Sequence, residues 1–165
     1  MSSSLIRIIR SNSFWLLIPI LIWNVLFAHW LPRPYQPEVF WHDIPSLMVT
    51  MEHGLRIAIF ALPTLMVFRS WKEARLKGWS MYLIGVAVYF LAWSVQMIFP
   101  ASVWSQGVWG MLAPAYTPLI WLVGIAMLSR PIIPRFRGLV WLFMGLSICF
   151  VVVHTAHVYL VFVRL

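Results

Sequence analysis

The chain has 165 residues, 62% of them apolar and only 10% charged. A soluble domain is nearer half apolar and about a quarter charged, so the composition excludes that class and points to an integral membrane protein. The net charge of +8 does not indicate a nucleic-acid partner, because the cations fall at the ends of apolar runs and not on a soluble face.

A helix that crosses a bilayer needs about 20 mostly apolar residues. The first such run, 14–31, follows Arg7 and Arg10. It is longer than the apolar core of a secretion signal, and no Ala-x-Ala-like site follows, so a retained first span is expected. The connection "PRPYQPEVFWHDIP" has one basic residue, Arg33. The second span, 46–68, leads into "RSWKEARLKG", with Arg69, Lys72, Arg75 and Lys77. The third, 81–99, leads into "PASVWSQGVWGM", which has no charge, and the fourth, 112–129, into "RPIIPRFRG", with Arg130, Arg135 and Arg137. The fifth is 139–163. Pro19, Pro63 and Pro118 lie within spans, where neighbouring groups must satisfy the carbonyls they free.

Basic residues thus alternate from connection to connection. The expected architecture is an all-α integral membrane protein, a single bundle of five transmembrane helices. Its N-terminus is cytoplasmic and its C-terminus extracytoplasmic, in a bacterial-type cytoplasmic (inner) membrane. The bilayer is its first partner, and a partner subunit or a second copy remains open.

The second span holds a contradiction. "TMEHGLRIAIF" places Glu52, His53 and Arg56 inside an otherwise apolar run. On a helix the three cover an arc of roughly 100°, with Glu52 about 12 Å deep and Arg56 near the midplane. Such groups face a bundle interior or a wet cavity. In the fifth span "FVVVHTAHVYLVF" places His154 and His157 on one face, at about the same depth from the same side. The expectation is a polar pocket in the outer leaflet, where Glu52, His53 and Arg56 face His154 and His157. Asp43 above the second span and Tyr116 at the start of the fourth are further lining candidates.

Two plainer roles compete with a site: an i, i+4 ion pair between Glu52 and Arg56 that neutralises both, and histidines that merely bond neighbouring carbonyls. The eleven tryptophans belong mostly to interfacial belts. Cys149 stands alone, which excludes an intrachain disulfide.

Several chemistries fit these residues. A b-type haem needs imidazoles that face each other, such as His53 with His154 or His157, and Arg56 suits a propionate. A divalent transition metal suits the set of His53, His154, His157 and Glu52. In a membrane metalloenzyme, Arg56 would then hold an anionic group of a lipid or other substrate. The third reading is a protein that binds a lipid or small molecule without turnover, or serves as a structural or accessory subunit. In size, in five spans and in its many Trp and Pro residues, the chain resembles the tryptophan-rich sensory protein (translocator) family. It departs from that family at "HWLPRPYQP", which lacks the Trp-x-Pro-Pro signature, and in its charge pattern.

Overall fold

The computed structural model describes residues 3–68 and 76–165. Arg69, Lys72 and Arg75 of the basic connection lie outside the described residues. In chain order the helices are α1 (Ser3–Arg10), α2 (Ile18–Phe27), α3 (Pro37–Phe40), α4 (Ser46–Ala61) and α5 (Leu76–Ile98). There follow α6 (Val103–Gln106), α7 (Val108–Tyr116), α8 (Pro118–Leu128) and α9 (Leu139–Val163). Two short strands, β1 (Met66–Phe68) and β2 (Ser129–Pro131), pair antiparallel.

Among the described residues, four stretches are long and apolar enough to cross a bilayer: Ser13–Trp30, α5, Val108–Leu128 and α9. Their outward residues are apolar too. Val25, Leu91, Trp141 and Val152 are all exposed, which suits lipid and not water. This is the helical character of a multi-pass membrane protein.

The stretch 46–68 departs from one continuous span. Its helix, α4, has 16 residues, tightens into a 3₁₀ turn at Leu62–Leu65 and ends in β1. Pro63 lacks the N–H that a continuing helix needs, and Asn12 Nδ2 donates to the Thr64 carbonyl at 2.7 Å. β1 then pairs with β2, Phe68 opposite Ser129 and Met66 opposite Pro131, while Asn12 bridges Val67. Ser129 Oγ donates to Ser13 Oγ at 2.8 Å, both residues buried. Three connections are gathered into one clasp. Arg7, Arg10, Arg130, Arg135 and Arg137 all lie within a few residues of it.

The bundle interior is built around α5. Its buried residues, Gly78, Tyr82, Gly85, Tyr89, Trp93 and Gln96, recur at the three- and four-residue steps of a helix seam. Against α8 the seam closes to backbone contact. A Cβ on Gly85 would stand 2.4 Å from Trp121 N, and one on Gly124 would stand 2.5 Å from Tyr82 N. Without a hydrophobic force between helices in lipid, this close approach is what holds two spans together. Tyr82 donates to the Leu16 carbonyl and Tyr89 to Asn24 Oδ1, each at 2.7 Å, which ties α5 to the first stretch. Pro114 inside α7 leaves the Gly110 carbonyl without its helical donor. Gln96 Nε2 supplies one at 2.7 Å.

At the end opposite the clasp, the segment between the first stretch and α4 folds into a cap. Tyr35 donates its hydroxyl to the Met111 carbonyl at 2.7 Å, and burial pushes that phenol's pKa well above its ordinary value. Phe40 is buried among Met111, Leu112, Val158 and Val161. Arg164, just past α9, donates to the His42 carbonyl. The helix that α4 packs against is α9.

Gly85→Ala and Gly124→Ala each force apart two backbones, and overpacking of this kind costs about 1–3 kcal/mol or more. Both variants should lower the melting temperature in detergent, whereas Gly145→Ala, which meets nothing within 4 Å, should not. Equal melting of all three would contradict the α5–α8 packing.

Candidate metal centre

Glu52 lies on the one face of α4 that meets α9, and its side chain is fully buried. A carboxylate in that position demands partners, and both oxygens have them. Oε1 accepts from Arg56 Nη2 at 2.5 Å and lies 3.0 Å from His154 Nδ1. Oε2 lies 2.5 Å from Nδ1 of the fully buried His157. The spacing of His154 and His157, three residues apart on α9, lets both imidazoles reach one carboxylate.

The cap completes the group. His157 Nε2 lies 2.8 Å from the Phe40 carbonyl. A carbonyl only accepts, so Nε2 carries a proton. One further proton is then shared between His157 Nδ1 and Glu52 Oε2, as neutral acid with imidazole or as carboxylate with imidazolium. His154 Nδ1 donates to Oε1, which leaves the other nitrogen of His154 with its lone pair. Aromatic rings wall the site. Phe40 and Trp41 lie 4.1 and 4.8 Å from His157, centre to centre, and Phe150 stacks on His154 at 5.4 Å.

Glu52, His154 and His157 offer ligand atoms that all lie within 4.8 Å of one another. In tetrahedral coordination with bonds of about 2.0–2.1 Å, neighbouring ligand atoms stand about 3.3 Å apart. The 2.5 and 3.0 Å gaps, which fall on different oxygens of Glu52, would open by less than about 1 Å, and separations of up to 4.8 Å within the group would close by about 1.5 Å, around an ion that displaced the shared proton and moved the His154 Nδ1 proton to its other nitrogen. Two nitrogens and one oxygen suit zinc and its neighbours. Three protein ligands also leave a fourth position, as in catalytic zinc sites. The bond from His157 Nε2 to a backbone carbonyl is the usual second contact of a metal-bound imidazole. The accessible edge of the group is formed by Arg56 and His154, with side-chain exposures of 35% and 19%.

The other sequence candidates stand elsewhere. His53 is exposed, with Nδ1 at 2.9 Å from the Val49 carbonyl and its ring stacked 4.9 Å from Trp41. It lies outside the three-residue group because α4 presents only a narrow face to α9, and the next residue turns about 100° away from Glu52. His53 therefore does not oppose His154 or His157 across a gap, as an axial haem pair would. Asp43, at φ 51°, is exposed and 2.9 Å from His42 Nδ1. Tyr116 donates to the Trp109 carbonyl at 3.2 Å and lines a separate apolar cavity of about 560 Å³ with Leu91, Phe99 and Trp104. The contributions of the Phe40 carbonyl and of Trp41 have no signal in the sequence, because they depend on how the cap folds back over α9.

Scans against family models, curated proteins and solved structures give no match to the chain. The functional reading therefore rests on the geometry above.

Proposed function

We propose that this chain is a multi-pass membrane protein that binds a divalent transition-metal ion through Glu52, His154 and His157. The observation that carries the proposal is the convergence of three metal-binding side chains from two helices within 4.8 Å, two of them fully buried. Ionisable groups at such a position in a membrane helix are functional by default. The open fourth position beside Arg56 is compatible with a metalloenzyme that acts on an anionic substrate or with binding alone. One observation favours a purely structural role instead: Arg56 and Glu52 form a close i, i+4 ion pair, which lets both stay in the membrane.

In the same reading α4 and its 3₁₀ extension form a fifth span. Support comes from the path of the chain, which runs from the cap at Trp41 to the clasp at Met66. At the usual rises these two helical pieces extend about 32 Å, close to the hydrocarbon thickness. The clustering of basic residues beside the clasp supports a cytoplasmic clasp and N-terminus, with the cap, the metal site and the C-terminus on the outer side. A periplasm-dependent reporter fused after Leu165 should be active and the same reporter at the N-terminus silent; the reverse result would invert the orientation.

The metal site is tested on detergent-purified protein stripped with chelator and titrated with Co²⁺. Wild type and His53→Ala should bind one ion and develop the visible bands of tetrahedral cobalt. His154→Ala should bind at least about tenfold more weakly. Wild type that melts cooperatively but takes up no cobalt would reduce the group to an ion-pair scaffold.

A further inference from the structure

We propose that the accessible edge of this site binds a phosphate group, with Arg56 as the residue that positions it. The inference rests on the metal reading for its full strength, but part of it stands without a metal.

Charge is the first argument. A divalent ion held by one carboxylate and two neutral imidazoles leaves one positive charge, and Arg56 raises the total to two. That sum is costly in a medium of low dielectric constant unless an anion answers it. A phosphate monoester near neutral pH carries about −1.5 to −2 charges, which matches the loaded site.

The second argument counts donors. A guanidinium has five N–H groups, and among the described residues the hydrogen bond made by Arg56 goes to Glu52 alone. Its remaining flank is a Phe150 ring at 5.8 Å. Arg56 sits ten residues along α4 from Ser46, about 15 Å from the start of that helix. Arg56 thus has donors to spare, and the missing partner is an acceptor. The planar fork of arginine meets two phosphate oxygens at once, and the open metal position would take a third.

The phosphate can belong to a lipid headgroup that arrives through the bilayer or to a free ion from the outer solution. Two probes separate these sources: phosphatidic acid in phosphatidylcholine nanodiscs, and inorganic phosphate added to detergent-purified protein. Each is measured on metal-free and Co²⁺-loaded protein, with the cobalt bands as a second readout. Binding should be tighter in the loaded form and shift its spectrum. Compared with wild type at saturating cobalt, Arg56→Lys should weaken it by at least about tenfold and Arg56→Gln should abolish it. Binding of phosphatidic acid alone assigns a lipid ligand, and binding of inorganic phosphate assigns a soluble one. Cobalt uptake with no response to either probe, or with equal response in Arg56→Gln, overturns the phosphate inference while the metal site stands. Phosphate binding by wild type that never takes up cobalt overturns the metal reading and keeps the Arg56 assignment. Absence of both ends both.

Discussion

A single carboxylate, that of Glu52, is the constraint around which this end of the molecule is organised. Its side chain is fully buried, and an unpaired charge in that position would cost more than a small bundle can supply. It is tolerated because Arg56 meets it from its own helix while His154 and His157 meet it from α9. His157 passes the constraint on to the cap through the Phe40 carbonyl. One acid thus fixes the facing of α4, the register of α9 and the position of the segment that covers them.

The remaining structure holds those two helices so that the meeting occurs. β1 follows α4 within five residues and β2 precedes α9 by eight, and their pairing pins the same ends of both helices. At the other ends Arg164 bonds the His42 carbonyl. Helices fixed at both ends cannot slide by a turn, so Glu52 stays level with His154 and His157. Behind them the interior gains its cohesion from contact rather than from a hydrophobic force, which lipid does not provide. Gly85 and Gly124 admit the facing backbones, and Gln96 repairs the carbonyl that Pro114 leaves open.

The apolar runs were legible because composition and run length decide them almost alone. The shared depth of Glu52, His154 and His157 was legible too, since helical rise converts position into height. What sequence could not supply was facing. Glu52 and His53 are adjacent and equally ionisable, yet one is buried against α9 and the other stacks on Trp41 at the surface. That choice depends on which neighbour α4 has. The end of α4 is hidden for a related reason: residues 66–68 are apolar enough for a span, but they follow Pro63 and pair with residues 129–131 as a strand. The glycine crossing was hidden because Gly85 and Gly124 lie on different helices, so no spacing within one segment announces them.

The chemistry follows from these placements. An N₂O donor set with one imidazole fixed by a backbone carbonyl, and a guanidinium at the open edge, is compatible with a metal site. X-ray absorption on the zinc-loaded protein tests that claim most directly. The account predicts a first shell of about two imidazole nitrogens and one or two oxygens at about 2.0–2.2 Å, with imidazole scattering reduced in His154→Ala. A shell of oxygens alone, unchanged by that substitution, would contradict it.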